Sequence, residues 1–142
     1  SERFMKKPSK KTLDNKSTKL ASKAIRTIGQ CECCGQKDFK LLQCSHDISR
    51  TYKKVKYDPR NTQCLCATCH AIFTKNPIKF AEFVKNSSIG IYVDHMFEIA
   101  NDTKLKVNHD FWNGFNNNII AGKVTVFEAR DLLGFQYVGL QF

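Results

Sequence analysis

Apolar spacing divides the chain into a lysine-rich lead-in, a cysteine-rich middle and a helical end. Residues 12–28, TLDNKSTKLASKAIRTI, place Leu13, Leu20, Ala21, Ala24 and Ile28 on one face and lysines on the other, which predicts an amphipathic helix. Gly29 supplies a stop signal. The eleven residues before it, including Lys6, Lys7, Lys10 and Lys11, are expected to form a mobile basic arm. FKLLQCSHDIS (39–49) reads as a strand or hairpin arm, and RTYKKVKYDPRNTQ (50–63) as a polar, basic loop.

Helical spacing returns after residue 75. Asn76-Pro77 is a helix start, with Asn as cap and Pro in the first turn, and Phe80, Phe83 and Val84 then share a face. IYVDHMFEIAN (91–101) groups Val93, Met96, Phe97 and Ala100, and HDFWNGFNNNIIAG (109–122) groups Phe111, Phe115 and Ile119. Thr125 and Glu128 have capping-box spacing ahead of VFEARDLLG. These stripes read as core, so the C-terminal half is a packing or docking region. Its tail, LLGFQYVGLQF, either packs down or serves a homodimer interface. The expected organisation is a basic arm and helix over 1–30, a metal-stapled core over 31–88 and a helical region over 89–142, together an α+β protein.

Charge sharpens this picture. The 142 residues carry a net charge of +10, and all of it lies in the front half: +7 over residues 1–30, +3 over 31–70 and zero over 71–142. A field of that sign suits phosphate backbones, so DNA is the expected partner. No segment is apolar enough to span a membrane and the first residues lack a signal peptide's apolar run, so an intracellular, cytoplasmic chain is expected.

Seven cysteines cannot all pair within one chain. Cys31 and Cys34 form one C-x-x-C, and Cys66 and Cys69 form a second. Two such turns about thirty residues apart suit tetrahedral Zn²⁺, each turn offering two thiolates. A redox C-x-x-C or free buried thiols are the alternatives, and neither accounts for two pairs. Four thiolates leave no open position for water, so this zinc would be structural. Cys33 is a competing ligand, whereas Cys44 and Cys64 read as small apolar residues. His46, Asn61 and His70 flank the cysteines in a fixed order, with His70 directly after Cys69.

That order, His, Asn, then C-x-x-C-His, resembles the HNH endonucleases of the ββα-metal fold over roughly residues 31–75. The run from Leu42 to His46, Ser49-Arg50, Lys54, Asp58, Asn61, Leu65-Cys66, Cys69-His70, Asn76-Pro77 and Phe80 is similar to the phage lambda-type NinG (Rap) recombination nucleases. The resemblance implies a metal-dependent DNA endonuclease acting on branched recombination intermediates such as four-way junctions, in a bacterial host cytoplasm if phage-encoded. It implies a zinc-stapled hairpin and helix clamping one catalytic ion, Mg²⁺ or Mn²⁺. His46 matches the general base, Asn61 the brace of the loop, and His70 a ligand of the catalytic ion. The residue before the base, usually Asp or His and a second ligand, is Ser45 here. Asp47 is the nearest carboxylate and a possible substitute. One strong protein ligand would leave metal affinity weak without DNA. Arg50, Lys53, Lys54, Lys56 and Arg60, with Lys16, Lys19 and Lys23 on the first helix, are expected phosphate contacts. The rival expectation is a non-catalytic zinc-ribbon DNA-binding module in which both histidines are incidental.

Overall fold

Ser9 accepts the Thr12 backbone N–H and opens the first helix, α1 (Lys10–Arg26), two residues ahead of the expected start. The computed structural model describes residues 7–142, so Lys6 of the expected arm lies outside the described residues. The buried face of α1 is Ser17, Ala21, Ala24 and Ile25, with Leu13, Leu20 and Ile28 half-buried at its edges. Small residues on that face let α1 lie close across α6 (His109–Ile120) and across the hairpin described next.

Gly29 leaves the helix with φ 79°, and the Cys31–Cys34 turn follows. A 3₁₀ turn over Phe39–Leu41, capped by the Asp38 side chain, leads into β1 (Leu42–His46). This strand pairs antiparallel with β2 (Thr62–Cys66), Leu42 opposite Cys66 and His46 opposite Thr62. Cys66 is then the N-cap of α3 (Ala67–Lys75), its Sγ accepting the Cys69 N–H, so strand passes into helix without a loop.

The segment 50–63 departs from the polar loop expected of it. It contains a helical turn, α2 (Lys53–Lys56), and every residue from Val55 to Cys66 is buried. Burial of these charges is possible because each is paired. Arg60 gives Nη2 to Asp58 at 2.7 Å and Nη1 to the carbonyls of Gly134 and Gln136 at 3.0 and 2.9 Å. Lys56 places Nζ 2.9 and 3.1 Å from the two Asp14 oxygens on α1.

Asn76 and Pro77 do start a helix, α4 (Pro77–Lys85), but the Asn76 side chain turns back to donate to the Ile72 carbonyl and gives no cap bond. A 3₁₀ turn (Gly90–Tyr92) leads into α5 (Val93–Ala100), whose buried residues are Met96 and Ile99. Phe97, expected in that stripe, is half exposed, because Tyr92 and Ile99 turn the inward face one residue away. Along α6 the fully buried positions are Trp112, Asn116 and Ile119, with Phe111 and Phe115 half-buried beside them. The helix α7 (Val126–Leu133) has the expected capping box between Thr125 and Glu128. Two short strands, β3 (Lys106–Val107) and β4 (Leu140–Gln141), pair antiparallel and tie the C-terminal tail down. Gly139 ahead of β4 has φ 73°, and a Cβ there would meet the Trp112 indole at 2.2 Å, so only glycine lets the tail lie on that ring.

Among the described residues this is an α+β fold of seven helices and two small sheets. The main core joins all three expected segments: Ala24 and Ile25 of α1, Leu42 and Leu65 of the hairpin, and Ile119, Val126 and Ala129 of the C-terminal helices. No helix of the described residues is long and apolar enough to cross a membrane.

One buried side chain crosses most of these junctions. Arg130 of α7 donates to the carbonyls of Pro59 at 2.9 Å and Thr62 at 2.8 Å, to Ser88 Oγ at 3.0 Å and to Glu32 Oε1 at 3.0 Å. Arg130→Met is expected to cost about 3–5 kcal/mol in denaturant unfolding, because Glu32 would keep a buried charge without its partner. A loss under about 1 kcal/mol would refute this account.

Asp14 gives a second expectation. Burial pushes its carboxyl pKa up, but hydrogen bonds from Lys56, Tyr57 and Lys53 outweigh burial and hold it well below the usual carboxylate range. A depressed folded pKa means that the contribution is complete above the unfolded pKa and fades as pH falls through and below about 4. Asp14→Asn should therefore lower stability by about 1–3 kcal/mol at pH 7. That deficit should narrow as pH drops from about 5 to 2, read by thermal melts across pH.

Candidate functional site: a cysteine cluster beside a histidine-lined cleft

The two C-x-x-C turns meet. The sulfurs of Cys31, Cys34, Cys66 and Cys69 all lie within 4.8 Å of one another, with Cys34 and Cys66 at 3.6 Å. A tetrahedral ion with bonds of about 2.3 Å needs sulfurs about 3.8 Å apart, so this set can hold a metal ion such as zinc. Backbone amides are already turned towards the cluster. Cys31 Sγ accepts from Cys33 N at 3.4 Å and Cys34 N at 3.5 Å, and Cys66 Sγ accepts from Cys69 N at 3.4 Å. Burial pushes the Cys31 thiol up, but the backbone N–H groups of Cys34, Cys66 and Cys33 prevail and bring it down to about 7. Cys69 is pushed up by burial and by the three thiols around it. Four thiolates at this spacing repel one another unless a cation sits among them. Cys33 is exposed and outside the cluster. Cys64 is buried in the main core with Cys44 packed against it, and burial pushes both thiols up to about 12.

The hairpin and α3 also carry the two histidines. His46 ends β1, and His70 sits in the first turn of α3, one residue beyond the cysteine that caps the cluster. Both line a cleft of about 470 Å³ together with Arg26, Gln43, Ser49 and Arg50. Both also line a smaller recess of about 90 Å³ with Ser45 and Thr74. The two histidines therefore border the same two cavities.

Each ring has one nitrogen committed. His46 Nε2 lies 2.9 Å from the Lys56 carbonyl, which can only accept, so Nε2 carries the proton and Nδ1 keeps a lone pair. Burial draws the His46 pKa down to about 4, with the charges of Arg50, Lys56 and His70 adding to the fall and the Lys56 carbonyl opposing it. The ring is neutral at pH 7. His70 Nδ1 lies 2.7 Å from Gln43 Oε1, which leaves Nε2 as its free nitrogen. Burial and Arg50 lower its pKa too.

Asn61 is fully buried and forms no hydrogen bond with His46. Its Oδ1 accepts from Ile48 N at 2.8 Å, and its Nδ2 donates to the carbonyls of Ile48 at 3.2 Å and Val55 at 3.1 Å. It thus fixes the chain on both sides of the loop, next to His46 at one end and next to the Lys56 carbonyl at the other.

The expected phosphate contacts separate into groups. Arg50 is exposed in the cleft, and Lys16, Lys19 and Lys23 are exposed on α1. Lys53 is exposed but lies 3.1 Å from Asp14, and Lys54 is half-buried. Lys56 and Arg60 are corrected by their burial: Asp14 and Asp58 hold them inside, and neither presents its charge at the surface. Asp47 is half-buried and lines neither histidine cavity, and among the described residues no other carboxylate lines them. Ser45 is buried and touches the small recess.

Gln43 and Arg26 escaped the sequence reading. No spacing rule links Gln43 to His70, since their contact depends on how α3 docks against β1. The partnership of Glu32 with Arg130 is equally invisible, because 98 residues separate them.

No family model, curated protein or solved structure matches the chain.

Elemental analysis of the purified chain is expected to find one tightly held metal ion per chain. Cys69→Ser should lose it and melt at lower temperature. Full retention of the ion by that variant would show that the cluster is not the site.

Proposed function

We propose that this protein is a metal-dependent endonuclease that hydrolyses DNA phosphodiester bonds. The observation that carries the reading is the cleft that both histidines line, His46 with its Nδ1 and His70 with its Nε2 left uncommitted by their hydrogen bonds to Lys56 and Gln43. The four-cysteine cluster holds a structural zinc that fixes α3 against the hairpin and so fixes that spacing.

His46 Nδ1 takes the proton of a water attacking phosphorus, while the Lys56 carbonyl holds the ring in the right tautomer. Asn61 keeps that carbonyl in place. Arg50 neutralises charge on the phosphate. His70 Nε2 would hold a divalent ion, Mg²⁺ or Mn²⁺, which when bound stabilises charge on the scissile phosphate and on the leaving 3′ oxygen. The chain offers one strong ligand there, so water and DNA phosphate oxygens would have to supply the rest. Branched recombination intermediates are the substrate favoured by the resemblance to phage recombination nucleases, and the basic face of α1 supplies a track for their arms.

One observation favours a second reading, a non-catalytic DNA-binding module. Among the described residues no carboxylate lines either histidine cavity, whereas hard divalent ions prefer carboxylate oxygen.

The test uses supercoiled plasmid and a four-way junction with Mg²⁺ or Mn²⁺. Wild type is expected to nick both, and His46→Ala to lose about a hundredfold to ten-thousandfold in rate. Equal nicking by the variant removes His46 as base. Binding without cutting under either ion supports the second reading.

A further inference from the structure

A second cleft, of about 540 Å³, opens between the start of α1, the 51–57 segment and the β3–β4 pair. It does not touch either catalytic histidine. Its volume falls in the roughly 300–1,000 Å³ span of sites that take small organic groups. The floor is apolar, from Leu13, Ala100, Leu105 and Val107. Tyr52 stands at the wall with 45% of its surface exposed. Lys10, Lys53, Lys54 and Lys106 ring it.

Among the described residues the one carboxylate lining this cleft is Asp14, and it is already committed to Lys56, Lys53 and Tyr57. Asp102, on the turn before β3, accepts the backbone N–H groups of Lys104 and Leu105. Among the described residues Lys10 and Lys106 form no ion pair. An apolar slot with an exposed aromatic ring and unneutralised lysines fits a flat heteroaromatic group that carries a phosphate on either side.

The position of the cleft points the same way. The walls of the histidine cleft include Thr18, Ser22, Ser49 and Arg50, and those of the second include Lys10, Asp14, Thr51 and Tyr52. The same helix and the same loop therefore run along both. A nucleic-acid strand leaving the first cleft past Arg50 meets Thr51 and Tyr52 next.

We propose that this second cleft is a subsite for one unpaired nucleotide of the bound DNA, its base stacked on Tyr52 and its flanking phosphates held by Lys10 and Lys106. The proposal rests on the nucleic-acid reading above but not on catalysis. It makes the enzyme sensitive to a break in base pairing beside the scissile bond.

The test uses the full chain with Ca²⁺ replacing Mg²⁺, and two duplexes that differ only by a single unpaired 2-aminopurine nucleotide in one of them. Wild type is expected to quench the probe's fluorescence and to bind that duplex about tenfold more tightly than the fully paired one. Tyr52→Ala should abolish both the quench and the preference, leaving affinity for the paired duplex within about twofold. Lys106→Gln should lower the salt slope for the unpaired probe by about one, consistent with loss of one phosphate contact. Equal affinity for the two duplexes overturns the subsite, as does a preference that survives Tyr52→Ala. Displacement of the unpaired probe by poly-glutamate at matched charge also overturns it, in favour of an acidic peptide. Nicking with Mg²⁺ is read separately, so a chain that binds the bulge without cutting refutes the nuclease reading alone. A chain that cuts without the preference refutes the subsite alone.

Discussion

A guanidinium taken out of water is costly unless its N–H groups find acceptors, and Arg130 meets that demand by collecting four acceptor residues from three segments at once. Pro59 and Thr62 belong to the stretch that enters β2, Ser88 to the connection after α4, and Glu32 to the first cysteine turn. Glu32 in turn accepts the Cys64 N–H at 2.7 Å, so the knuckle, the hairpin and the last helix close on one charge pair. The cysteine cluster shares this frame. Its first pair is held against β2 through Glu32, and its second pair is the turn from β2 into α3.

From that frame the cleft follows by short steps. The capping of α3 by Cys66 sets His70 one residue beyond the cluster, and the strand pairing sets His46 at the loop end of the hairpin. The loop between the strands would be free to drift, but Asn61 bonds to Ile48 and Val55 and anchors its two ends. The Lys56 carbonyl can then serve as a fixed acceptor for His46. Functional geometry here depends on buried polar groups that are each satisfied, and a partly satisfied network would lose position before it lost fold.

The charge pattern changes meaning once burial is known. Arg60 and Lys56 count towards the net charge of the chain but act inside it, as partners of Asp58 and Asp14. The field that a polyanion would meet comes instead from α1, from Arg50 and from the lysines around the second cleft. Asp14 has a double part in this. It clips α1 to the loop through Lys56 and Tyr57, and in doing so it spends its own charge, so that among the described residues no carboxylate pairs with Lys10 or Lys106.

Spacing alone determined the features that depend on near neighbours: the amphipathic α1, the capping box of α7, the Pro77 start of α4 and the two C-x-x-C turns. The candidate residues His46, Asn61 and His70 were also legible, because their order around the cysteines is itself a local pattern. What only the tertiary structure decided involves partners far apart in the chain. Residues 50–63 look polar in sequence, yet Asp58, Arg60 and Asn61 are buried because their partners arrive from Gly134, Gln136 and the opposite arm of the loop. The inward face of α5 shifts off Phe97 because its neighbours, and not its own period, fix its rotation. Gln43 meets His70 only when a helix docks on a strand. Hydrophobic period and capping are properties of a few consecutive residues, whereas the pairing of buried charges is a property of the closed fold.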